Sequence, residues 1–165
     1  GYAKFPNEEF FLMSLIDAYI QSSQNEKAIS YLNTAIAQKP SDSQLYHALG
    51  IVYETGIKDY AKAEETFKKA LEVNPESVES MSALGRIYYN QAVNKQGEAN
   101  MINDSKKYQE ELTIAKDLFK QALPYFQKAH EMKPSESEYM VALRGIYYNL
   151  NMGPELEAIE AEMNK

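Results

Sequence analysis

The chain repeats itself, and the repeat constrains its fold more than any other feature. The segments SQLYHALGIVYE (residues 43–54), VESMSALGRIYYN (78–90) and SEYMVALRGIYYN (137–149) share an Ala-Leu step with a tyrosine four residues after the leucine. A second kind of segment alternates with them: NEKAISYLNTAIAQKP (25–40), AKAEETFKKALEVNP (61–75) and KQALPYFQKAHEMKP (120–134). Apolar residues in these recur at spacings of three and four, the period of an amphipathic helix. Pro40, Pro75 and Pro134 each follow a helical run they cannot continue. Ser41 with Gln44, and Ser135 with Glu138, have the spacing of capping boxes, which predicts helix starts there. No Asn-Gly or Asp-Gly hairpin turn occurs, and no stretch alternates apolar with polar residues. The pattern predicts an all-α chain of alternating helix pairs. No single pair can bury its own apolar face, so neighbouring pairs must stack.

In the second unit Tyr46, Leu49, Gly50, Tyr53, Ala63, Phe67, Ala70 and Pro75 follow one another at set intervals; the third has Met81, Leu84, Gly85, Tyr88, Ala122, Phe126, Ala129 and Pro134. These residues resemble the tetratricopeptide repeat, a helix-turn-helix unit of about 34 residues. The first unit matches more loosely through Leu12, Leu15, Tyr19, Ala28, Leu32, Ala35 and Pro40, with Ile16 where the family prefers a small residue. The fourth keeps Met140, Leu143 and Tyr147, has Arg144 at the small site and Gly145 after it, and ends in a helix with only Leu156, Ile159 and Met163 as its stripe. The resemblance implies a right-handed superhelical solenoid of about four units, at about residues 7–40, 41–75, 76–134 and 135–165, in a single domain. It also implies that the glycines admit close helix approach while Tyr53, Phe67, Tyr88 and Phe126 fill the core.

One unit departs from the pattern. Tyr19 to Ala28 spans 9 residues and Tyr53 to Ala63 spans 10, but Tyr88 to Ala122 spans 34. The third unit therefore carries an insertion of about 25 residues relative to a standard repeat, at about 91–117. Tyr108, Leu112, Ala115, Phe119, Ala122, Phe126 and Ala129 keep the helical period through it. This predicts a lengthened first helix, a turn at 100–104 capped by Asn103 or Asp104, and a long second helix over about 105–132 with a kink near Pro124. The hairpin is expected either to pack on itself or to form a wall beside a partner.

Charge and composition narrow the chemistry. A net charge of -7 without a basic patch argues against a nucleic-acid partner. Zero cysteines exclude disulfides and thiolate metal sites. His47 and His130, the two histidines, lack a second ligand at metal spacing, so no metal and no cofactor is expected. Phosphate loops, GxGxxG, GxSxG and HExxH are absent, as is any acid, base and nucleophile constellation, and the chain reads as no enzyme. Glu155, Glu157, Glu160 and Glu162 read as a solvated face. No apolar run reaches the length of a membrane span.

The resemblance implies a concave groove lined by the first helix of each unit, and so a scaffold that binds a protein or peptide. Met13, Asp17 and Ile20, then His47, Ile51 and Glu54, then Ser82, Arg86 and Tyr89, then Val141, Gly145 and Tyr148 fall on one face of their helices at spacings of four and three. The expected partner-binding residues are His47, Ile51, Glu54, Ser82, Arg86, Tyr89, Asn90, Tyr148 and Asn149, centred on Arg86 and Tyr89. Tyrosine and arginine are common interface anchors. A carboxylate clamp for chaperone C-termini is not expected, because the matching positions carry Met13, Asp17, Ala48, Glu79 and Ala83. ALPYFQKAHEMKP followed by ALRGIYYNLNM is similar to exported tetratricopeptide proteins of Bacteroidetes, which leans the compartment towards periplasm or cell envelope, with cytoplasm as the alternative. The competing reading is a structural or oligomerising segment of a larger envelope protein. Phe5, Phe10 and Phe11 are apolar for a capping end, so a preceding repeat is expected.

Overall fold

The computed structural model describes residues 8–164, with side chains from residue 11 onward. Phe5 and the side chain of Phe10 lie outside the described residues. Among the described residues eight α-helices follow one another: α1 (Glu8–Gln21), α2 (Asn25–Gln38), α3 (Ser43–Ile51), α4 (Tyr60–Val73), α5 (Val78–Ala99), α6 (Ser105–Met132), α7 (Ser137–Asn149) and α8 (Gly153–Met163). A π-helical turn, Val52–Ile57, continues α3. No strand occurs among the described residues, and none of their helices is long and apolar enough to cross a membrane. Two compact units result, Gly1–Ser80 and Met81–Lys165, with the boundary in the first turn of α5.

Neither of the two serine capping boxes forms, and aspartates cap α3, α4 and α6. At α3 the N-cap is Asp42, whose carboxylate accepts the Gln44 amide at 3.1 Å, and Ser41 lies one residue outside. At α7 the N-cap is Glu136, which makes no side-chain cap bond, so the Ser135 and Glu138 box does not form. A carboxylate placed next to the first turn satisfies its amides and the positive helix end together. Asp59 does this for α4 through the Lys62 amide, and that bond holds its carboxyl below the ordinary value. Asp104 does it for α6 through the Lys107 amide.

The repeat's tyrosines mark where the first helices close. The Gln24 amide donates to the Tyr19 carbonyl at 2.8 Å, and the Met152 amide to the Tyr147 carbonyl at 2.9 Å. In both turns the residue between, Ser23 or Asn151, is left-handed at φ 56° or 57°. The second repeat has one residue more between Tyr53 and Ala63, and the π turn absorbs it. There Lys58 takes the left-handed position, and the Asp59 amide reaches back to the Tyr53 carbonyl at 2.8 Å. Asn25, at the start of α2, braces this turn by donating from Nδ2 to the Gly56 carbonyl at 2.9 Å.

Packing in the first unit centres on Leu12, Ile16, Ala28, Leu32, Leu45, Ala48, Leu49 and Val52. Leu15, one of the loosely matched positions, stays exposed on α1, and Tyr19 is half-buried. Phe67 is fully buried against Gly50, where a Cβ would lie only 2.6 Å from ring atom Cδ1. Burying a side chain of that size contributes roughly 1.5–3 kcal/mol. In the second unit Phe126 packs against Gly85 in the same way, Tyr88 stacks on Tyr125 at 6.0 Å, and Tyr139 meets Phe126 at 6.4 Å.

The lengthened hairpin forms as the periodicity predicts: α5 runs to Ala99, the turn occupies 100–104, and α6 begins at Ser105. Ala92, Ala99 and Ala115 are fully buried, which lets the two helices approach closely. Lys95 of α5 contacts Glu98 at 2.9 Å and Glu111 of α6 at 3.2 Å. Both carboxylates raise the pKa of its ammonium, Glu98 first. The helix assignment of α6 continues through Pro124, which sits on its exposed side, where solvent can replace the missing amide bond.

Candidate functional site

The residues expected to form a groove fall in both compact units. In the first, His47 is half-buried on α3 and is not a free surface group. Its ring lies 5.4 Å from that of Phe67, and Nδ1 is 3.2 Å from the Ser80 hydroxyl, which accepts from the Ser77 hydroxyl at 3.0 Å. His47 and Ser77 border a polar cleft of about 680 Å³ that also takes in Lys39, Asp42, Asn74 and Glu79. Ile51 is half-buried and Glu54 is buried, at 8% exposure, within the π turn. The expectation that Glu54 points outward treats α3 as regular, whereas the π turn rotates every residue after Ile51.

In the second unit α5 and α7 lie side by side and share two direct contacts. A Cβ added to Gly145 would meet the Tyr89 ring at 3.2 Å and its hydroxyl oxygen at 2.5 Å, so the tyrosine lies flush against the α7 backbone. Tyr89 is pinned from the other side by Phe119 of α6, edge to face at 5.5 Å. About two turns along α5, Gln96 donates from Nε2 to Asn149 Oδ1 at 2.6 Å, while Asn149 Nδ2 donates to the Gly145 carbonyl at 2.8 Å. Both ends of the Asn149 amide are therefore engaged. Tyr89 and Asn149 brace α5 against α7.

Exposed residues lie between and beside the braces. Tyr89, Val93 and Gln96 are spaced by four and three, so Val93 lies on the α5 stripe that faces α7, and it is 44% exposed. On α7, Tyr148 is 71% exposed and Val141 49% exposed, seven residues apart on one face. Asn90 is exposed on α5, and Ser82 and Arg86 are half-buried. Val93 and Gln96 were missed as site residues because they belong to the inserted hairpin. Their spacing from Tyr89 was the signal available.

Residues 43–77 match the tetratricopeptide repeat profile. Tetratricopeptide repeat protein 37 of Xenopus laevis is 33% identical over 82 residues, which is 47% of this chain. The chain spans 5% of that relative's length. Among solved structures, a monomeric mutant of IFIT1 with Gppp-AAAA superposes with a TM-score of 0.69 at 21% identity, covering 93% of this chain and 32% of that one. The first TPR of Spaghetti (RPAP3), bound to the HSP90 peptide SRMEEVD, superposes with a TM-score of 0.57 at 17% identity, covering 92% and 99%. The chain has the tetratricopeptide-repeat fold, and the repeat's sequence is plainest over residues 43–77.

Proposed function

We propose that this chain is a non-catalytic scaffold that holds a protein or peptide segment against the α5 and α7 strip of its second unit. The observation that carries this reading is the exposure of Tyr148, Val141 and Val93 beside a rigidly braced pair of helices. Apolar and aromatic groups held still before binding lose little entropy when a partner arrives. Arg86, Asn90 and Ser82 supply polar contacts at the same place. The solved RPAP3 domain holds a peptide, which supports peptide binding on this fold. The acidic and apolar residues Asp17, Ala48, Glu79 and Ala83 at the clamp positions argue for a different ligand here.

The test is binding to a partner captured by cross-linking from a matched extract, with Tyr148→Ala and Val93→Ala measured separately. Each is expected to weaken binding tenfold or more, in keeping with a central interface anchor. Parent-like affinity in both variants rules the strip out. A second reading, association between copies through α1, rests on Phe11, which is 64% exposed, and on exposed Leu15. A monomer by light scattering at working concentration contradicts it.

A further inference from the structure

We infer that α8 is a detachable helix, which leaves α6 and α7 while the remainder of the second unit stays folded and thereby uncovers Leu143 and Tyr147. The grounds lie in one pair of positions followed through the four repeats. Ile16 and Leu32 are 16 residues apart, and both are fully buried in one cluster. Gly50 and Phe67 are 17 apart, the π turn adding one, and they touch. Gly85 and Phe126 are 41 apart, the insertion adding 25, and they touch as well. Arg144 and Glu160 are again 16 apart, but here the pair is charged and both residues are exposed. No ion pair among the described residues joins them. The contact that locks the second helix of each earlier repeat onto its first is missing between α7 and α8.

α8 packs along α7, with Leu156 and Met163 half-buried. Ile159 is its one buried residue. Its N-cap Met152 makes no side-chain bond. Glu160 and Glu162 lie in its last turn, where the negative end of the helix disfavours carboxylates, and no basic residue offsets them there. A cleft of about 350 Å³ separates it from α6 and reaches down to Leu143 and Tyr147. His130 Nε2 reaches across this cleft to Glu162 Oε1 at 3.2 Å, and His130 Nδ1 is buried without a hydrogen-bond partner. A terminal helix anchored by one fully buried side chain opens at lower cost than its unit unfolds.

Hydrogen exchange on the whole chain, read peptide by peptide, tests the inference. Amides of α8 are expected to exchange at least tenfold faster than those of α7 around Leu143 to Tyr147. Restoring the repeat's own pair with Arg144→Gly and Glu160→Phe together is expected to slow α8 exchange at least tenfold and leave α4 unchanged. His130→Ala, which leaves every buried apolar group in place, is expected to speed exchange in α8 alone. Equal protection of α7 and α8 in the parent overturns the inference. So does a His130→Ala variant that exchanges like the parent throughout.

Discussion

Phe126 fills the space that a side chain at Gly85 would need: a Cβ there would lie 2.9 Å from ring atom Cε2. The same relation holds, more tightly, between Gly50 and Phe67. Neither aromatic can retreat, since Phe67 and Phe126 are buried on all sides. Gly50→Ala and Gly85→Leu are therefore expected to destabilise the protein by about 1–3 kcal/mol each through overpacking. Gly145→Ala is expected to cost less, about 1 kcal/mol, because it meets the tip of Tyr89. Urea unfolding of the three variants gives the order, and an unchanged midpoint for Gly50→Ala contradicts this packing.

The π turn makes a second prediction. Deleting Thr55, which is exposed, returns the Tyr53 to Ala63 spacing to the 9 residues of the first unit. The deletion variant is expected to unfold in a single transition, within about 1 kcal/mol of the parent, since the lost turn carries its own strain. A broad or biphasic transition would show that the turn is required for the fold.

How far the sequence carries can be seen in these same residues. The Gly and Phe pairs, the tyrosines and the long hairpin were legible because each recurs, and recurrence fixes register without any knowledge of contacts. The single extra residue was visible as a spacing of 10 in place of 9, but its outcome as a π turn that buries Glu54 was not. One residue can be absorbed in a loop as readily as in a helix. Asp42 caps α3 one residue beyond Ser41, because serine and aspartate both suit an N-cap and adjacent candidates differ only in backbone angles, while Glu136 at the start of α7 makes no side-chain cap bond. Tyr89 and Asn149 also hold α5 to α7, a contact between helices far apart in sequence that the pattern of residues along the chain does not reveal.

That brace is itself measurable. Gln96→Ala and Asn149→Ala each remove the bond between α5 and α7. A double-mutant cycle is expected to give a coupling of about 0.5–1.5 kcal/mol, as for a half-buried hydrogen bond. Additive losses mean that the two amides do not act as a pair.

Shortening the insertion probes its place in the fold. Removing residues 93–117 gives the third unit a Tyr88 to Ala122 spacing of 9, and Ala92 then occupies the left-handed position held by Ser23 in the first unit. With Ala92→Asn added to suit that conformation, the shortened chain is expected to keep one cooperative unfolding transition. Loss of cooperativity places the hairpin within the core of the second unit.

The claim on which the account turns is that the strip between α5 and α7 is the working surface. It is met most directly by titrating the labelled chain with the tightest peptide from an unbiased library and mapping amide shift changes by NMR. The account predicts changes concentrated at Arg86, Asn90, Val93, Val141 and Tyr148, and their loss in Tyr148→Ala. Changes confined to α1 around Phe11, or spread over α2, α4 and α6 with Tyr148 silent, would contradict it.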